Sequence, residues 1–356
     1  MKTLLCGFLA VLFSGSASAQ WDAGKAASYL DGRIEWWMTW NSAQRDHETF
    51  CVSCHTAAPY AIGRSSLRGA LGEKSVSADE HQLLDNVAKR VRLWSEVKPF
   101  YADSEKSPGK TAESRGTEAV LNALILSWND RDSKSLSPDA KLALDNMWSE
   151  QIQSGPAQGA FPWLQFHNSP WEGDSQYYGA ALAAVAIGNA PGDYKSSPAI
   201  RAKLQALQEY LVRERGAQKL VDRLVVLWAS AKVPGLLTAT QQKEMIAEVV
   251  AKQQPDGGFS LSTFVADWKR RDNTPLESKS DGYATALAAF AMEQAGVKKG
   301  DAALERSLGW LRKNQETSDG RWMAWSLNKQ RDLASDPGRF MSDAATAYAV
   351  MALEAR

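Results

Sequence analysis

From residue 79 to the C-terminus, apolar positions recur with a helical period, and no long run alternates with period two. The pattern predicts helices over about 22–43, 79–99, 111–129, 138–154, 175–190, 197–214, 216–231, 238–254, 280–295, 301–315 and 342–355. The breaks fall at helix-stopping or helix-starting residues: Pro99, Pro138, Pro191-Gly192, Pro234-Gly235, Gly257-Gly258 and Asp336-Pro337-Gly338. Two kinds of helix alternate. Tyr178 to Ile187, Tyr283 to Met292 and Ala344 to Leu353 are small and apolar on every side, which predicts helices buried all round. In 241–254, by contrast, Met245, Ile246, Val249 and Val250 form one face, with Lys243, Glu244, Glu248 and Lys252 opposite. Such a helix covers an inner one. The three inner segments are alike, so the chain repeats internally. The expected fold is all-α: an α/α toroid over 106–356, with buried helices inside a ring of amphipathic ones.

The turns repeat as well. Trp310-Leu311-Arg312-Lys313-Asn314-Gln315 runs on to Asp319-Gly320-Arg321-Trp322. Val249-Val250-Ala251-Lys252-Gln253-Gln254 runs on to Asp256-Gly257-Gly258-Phe259, and a degenerate copy ends at Gly159-Ala160-Phe161. Here the sequence resembles the squalene/hopene cyclase and prenyltransferase repeat family. The resemblance implies that Gln315 with Trp322, and Gln254 with Phe259, tie the end of one helix to the start of the next. It does not carry the chemistry. The Asp-rich motif by which hopene cyclases protonate their substrate is missing, since no two Asp are adjacent, and no cysteine is left for a prenyltransferase zinc site.

Acids mark the inner-helix starts: Asp174 before Ser175, Asp281 after Ser280 and Asp343 after Ser342. They read either as N-caps, each worth about 1 kcal/mol, or as a polar rim around a central cavity. Trp171 and Glu172 share a Trp/Pro-rich loop with His167, and a cap needs neither.

The N-terminus has a different character. Met1-Lys2-Thr3, the apolar run Leu4 to Phe13 and Ala17-Ser18-Ala19 read as a secretory leader over 1–19, cut before Gln20. The run is too short to span a bilayer, and no later segment is apolar enough to do so. This predicts an exported, periplasmic protein without a transmembrane segment in its mature form. Net charge is zero, which gives no support to nucleic-acid binding.

With Cys6 removed in the leader, Cys51 and Cys54 are the only cysteines, in Cys51-Val52-Ser53-Cys54-His55. C-x-x-C-H is the attachment pattern of c-type haem. The expectation is one covalent haem c on Cys51 and Cys54 within a haem-binding segment over 20–105, and His55 as proximal iron ligand. A Cys51–Cys54 disulfide, a thioredoxin-like redox pair and a zinc half-site compete with it. No Met lies between Met38 and Met147, so the second axial ligand is open. His167 is the first candidate because it sits in a long aromatic loop. His81, a distant Met and a five-coordinate iron remain alternatives, while His47 is too close to Cys51. The functional expectation is electron transfer with a periplasmic redox partner. A haem-dependent enzyme, a binding protein for an apolar small molecule in the toroid, and a ligand sensor stand beside it.

Overall fold

A computed structural model describes residues 21–355. The leader expected over 1–19 lies outside the described residues. Among the described residues, fourteen α-helices carry the fold. They are α1 (Ala23–Thr39), α2 (Ala57–Gly63), α3 (Arg68–Leu71), α4 (Ala78–Arg92), α5 (Lys110–Asp130), α6 (Pro138–Ser149) and α7 (Tyr177–Asn189). They continue with α8 (Arg201–Glu214), α9 (Leu220–Ser230), α10 (Ala239–Val250), α11 (Leu261–Phe264), α12 (Gly282–Gln294), α13 (Ala302–Lys313) and α14 (Phe340–Glu354). Two two-residue strands, Gln44–Arg45 and Thr49–Phe50, form a small antiparallel hairpin.

The inner helices close a ring: α2 packs on α5, α5 on α7, α7 on α9, α9 on α12, α12 on α14 and α14 back on α2. Outer helices α1, α4, α6, α8, α10 and α13 alternate with them along the chain, making six outer–inner pairs. This is the expected all-α, α/α toroid. Composition explains the layering. Every residue of α7 is buried, and α12 is buried from Gly282 to Met292. On α10, only Met245 and Val249 are. The segment 20–105 supplies α1, α2 and α4 to this same ring rather than standing beside it. Helix α2 was not foreseen, because its Ala-Ala-Pro-Tyr-Ala-Ile-Gly sequence is short and carries Pro59. The proline falls in the first turn, where its missing N–H costs no helical bond. Gly63 lets α2 approach α14; a Cβ there would lie 2.8 Å from the Ala347 carbonyl oxygen.

The repeated turns prove to be one device used three times. Gln151 Nε2 donates to the Gly159 and Lys203 carbonyls at 3.0 and 2.9 Å. Gln253 Nε2 does the same to Gly257 and Ala303 at 2.9 and 2.8 Å. Gln315 Nε2 does so to Gly320 and Asp22, both at 2.9 Å. Each glutamine thus fastens its own turn to the start of the next outer helix, and the last copy closes the ring onto α1. The role expected of Gln254 belongs to Gln253; Gln254 reaches the Ser278 carbonyl instead. The glycine of each turn has a positive φ, 93°, 93° and 81° at Gly159, Gly257 and Gly320. A Cβ on any of them would collide with the backbone of the next outer helix.

Candidate functional site at the mouth of the ring

The N-terminal ends of the inner helices gather at one end of the toroid, and two cavities open among them. The larger, about 190 Å³, lies between the starts of α7 and α9 and is lined by Ser169, Asp174, Ser175, Tyr178, Lys219 and Asp222 among others. Asp222 occupies the first turn of α9, where the helix dipole favours an anion. Its side chain caps nothing: the cap residue Lys219 receives no side-chain bond, and no hydrogen bond or ion pair engages the Asp222 carboxylate among the described residues. Burial outweighs the dipole and the nearby Lys219 and Arg223, and pushes this carboxyl up to about 7. Asp174 is held differently. His167 Nδ1 lies 2.9 and 3.0 Å from its two carboxylate oxygens. The His167 ring stacks on Trp268 at 4.3 Å, and Lys219 Nζ lies 4.8 Å from that indole.

The smaller cavity, about 40 Å³, lies beside the start of α2 and is lined by Cys51, Cys54, His55, Tyr101 and Glu172 among others. Its polar groups are tied inward. Thr56 Oγ1 donates to Asp343 Oδ2 at 2.7 Å, so its oxygen accepts from His55 Nδ1–H at 2.9 Å. Tyr29 and Arg33 donate to the other Asp343 oxygen, both at 2.8 Å. This relay leaves Nε2 as the unprotonated nitrogen of His55. Burial, with Arg33 and Arg331, pushes His55 down to about 3 and keeps it neutral. The ring stacks on Phe340 at 3.8 Å and meets Trp37 edge-on at 5.1 Å. Glu172 accepts from Asn168 Nδ2 at 3.1 Å, and burial raises its carboxyl.

Trp171 stands between the two regions, 5.5 Å from His55 and 6.2 Å from Tyr283. Tyr283 meets Tyr348 nearly at a right angle, 5.7 Å away. Tyr283 Oη and Trp171 Nε1 are buried without a hydrogen-bond partner.

The three acids singled out at inner-helix starts meet three fates. Asp281 is an N-cap of α12, accepting from Ala284 N at 2.8 Å and from Leu261 N at 2.5 Å. Burial nonetheless pushes it up to about 7. Asp343 anchors Arg33 and Thr56. Only Asp174 lines the larger cavity. Asp222 was missed, although it stands at an inner-helix start like the others. The apolar period predicts a helix over 216–231, and no acid stands out in it beside Leu220-Val221 and Leu224-Val225-Val226-Leu227.

No protein-family model and no curated protein sequence matches the chain. Solved structures do. An unsaturated glucuronyl hydrolase from Bacillus sp. GL1, described as responsible for glycosaminoglycan degradation, aligns with TM-score 0.56 and 11% identity over 93% of this chain and 96% of its own. The α-1,6-mannanase GH76A of Salegentibacter sp. HEL1_6 aligns with TM-score 0.54 and 12% identity, over 93% of this chain and 99% of its own. At these identities the likeness establishes the shared fold.

These findings correct several expectations. The similar toroids are glycan-degrading enzymes, not squalene/hopene cyclases or prenyltransferases, and not cytochromes. The Gln–Gly turns that carried the cyclase resemblance are a fastening between outer helices and report nothing about chemistry. Covalent haem c on Cys51 and Cys54, iron ligation by His55 and His167, and electron transfer to a redox partner are corrected with it. Cofactor pockets run to about 300–1,000 Å³; the space beside Cys51, Cys54 and His55 is about 40 Å³, and aromatic rings already pack on His55. His167 is on the exposed rim, bound to Asp174, and lines neither the smaller cavity nor any contact with His55. His81 is exposed on α4 and pairs with Asp85. Among the described residues no three His, Cys, Asp or Glu side chains are grouped to hold a metal ion, and no helix is long and apolar enough to cross a membrane.

Proposed function

We propose that this protein is a glycan-processing enzyme that holds a sugar at the mouth of its toroid and cleaves or modifies it by acid catalysis through Asp222. One observation carries the reading. A carboxyl with no partner, raised to about 7, lines a cavity with a second carboxylate, Asp174. An acid poised near neutral pH is what protonation of a glycosidic oxygen requires. Asp174, oriented by His167, is placed for the complementary role of base or nucleophile. Tyr178 borders the cavity, and Ser169, Ser175, Gln218 and Lys219 along its wall offer polar partners to sugar hydroxyls. The printed descriptions of the similar toroids, a glucuronyl hydrolase and a mannanase that an Asp-to-Asn double variant inactivates, agree with this class of substrate. Export through the 1–19 leader would place the enzyme where extracellular glycans arrive.

The test is a panel of unsaturated uronyl oligosaccharides, neutral α-mannooligosaccharides and anionic polysaccharides, incubated with the protein and with Asp222→Asn. Turnover of one class by the native chain, lost in the variant, is expected. Equal rates for the two proteins would refute the role of Asp222.

A further inference from the structure

We propose that Cys51 and Cys54 are joined as an intrachain disulfide in the exported protein, bracing the turn that delivers His55 and Thr56 to the ring. Both side chains, free thiols in the structure, line the same cavity of about 40 Å³ and stand at either end of a two-residue spacer. The turn is already closed on its far side: Ala58 N donates to the Ser53 carbonyl at 2.9 Å, and Ser53 Oγ accepts from Thr56 N and Ala57 N at 3.2 and 3.0 Å. Trp37 Nε1 pins the Cys51 carbonyl at 2.6 Å. Among the described residues these are the only two cysteines, and Cys6 falls within the expected leader. Proteins exported to oxidising compartments keep such pairs oxidised.

The burial that surrounds the pair favours a permanent link over an exchanging one. Both residues are under one-tenth exposed. Burial pushes the Cys51 thiol up to about 12 and raises Cys54 too, so neither offers a thiolate for exchange once the chain has folded. Oxidation therefore belongs to the folding stage. Two S–H bonds break and one S–S bond forms. The two electrons and two protons reduce the disulfide of an extracytoplasmic thiol oxidase to a dithiol. The bond would tie the segment after the hairpin to the start of α2, the shortest helix of the inner ring. It would thereby fix the His55–Thr56–Asp343 relay from its open end.

The experiment is intact-mass and alkylation analysis of the full chain, recovered from the exported fraction and denatured in iodoacetamide without reductant. The expected result is no alkylation of Cys51 or Cys54 and a mass two hydrogens below the dithiol, with both residues alkylated after reduction. Alkylation of most molecules without reductant would overturn the proposal, as would a disulfide between chains or any heavier group on the sulfurs. Should the chain not be exported, the same alkylation after refolding with oxidised glutathione decides the question, and failure to form the bond there overturns it. Activity of Asp222 plays no part in either readout, so this proposal can fail while the glycan-processing reading stands, and the reverse.

Discussion

The two cavities at the ring mouth sit one inner helix apart from each other's neighbours and yet are built on opposite principles. Beside α2, two thiols and an imidazole of one short motif meet the Glu172 carboxylate in about 40 Å³, and the imidazole is tied into a chain of hydrogen bonds: His55 to Thr56, Thr56 to Asp343, Asp343 to Arg33 and Tyr29. Between α7 and α9 the space is more than fourfold larger, and its most perturbed group, Asp222, is committed to nothing. The lesson is that a conspicuous spacing of reactive residue types does not by itself make a reactive site. A carboxyl that is half-buried, raised and unpaired beside open volume is closer to one, although its sequence context, Leu220-Val221-Asp222, is unremarkable.

The contrast makes predictions of decreasing size. Asp222→Asn should lower turnover by about 10²–10⁴-fold, the usual contribution of a positioned acid, without loss of folding stability. A stability loss equal to that of a core variant would erase the contrast. Asp343→Ala should act the other way. It leaves Arg33 buried with only the half-exposed Asp336 for a partner, and should cost about 3–5 kcal/mol in denaturant unfolding. A neutral result would mean that the small cavity is not the structural knot described. His167→Ala removes a part-exposed contact to Asp174, and should slow turnover by less than about tenfold.

The pH dependence follows from the raised carboxyls. Asp222 and Asp281 bind protons more tightly folded than unfolded, where an aspartate titrates near about 3.9. The stability this contributes is complete below about pH 4 and is lost as pH rises through about 7. Melting temperature should therefore fall between those limits, and Asp222→Asn should flatten part of the fall. Activity should decline through the same upper limb, since the acid must carry its proton.

Much of the fold was legible in the sequence. All eleven helices expected from the apolar period are present, most within a few residues of their expected ends. All-round apolar segments separated inner from outer helices because a helix without a polar face has nowhere to lie but inside. Helix α2 was not legible: seven residues with a proline carry too little period, and only ring closure onto α14 and α5 makes it a helix. The site was less legible still. Asp174, Glu172 and Trp171 were singled out, but Asp222 was not, because its role depends on what it lacks, a partner, and sequence does not display that. The Cys51–His55 motif drew attention for its spacing, whereas its surroundings are decided by Trp37, Trp171 and Phe340, which lie far apart in the chain.

The central claim is that the mouth between α7 and α9 binds and turns over a glycan. Oligosaccharide titration followed by calorimetry, on the native chain and on Asp222→Asn, tests it most directly. The account predicts that one oligosaccharide class is turned over by the native chain, and that the variant binds it with similar affinity while its heat shows binding without reaction. If neither protein binds any uronyl or mannosyl oligosaccharide, or if binding persists unchanged when Tyr178 and Lys219 are both replaced by alanine, the claim is contradicted.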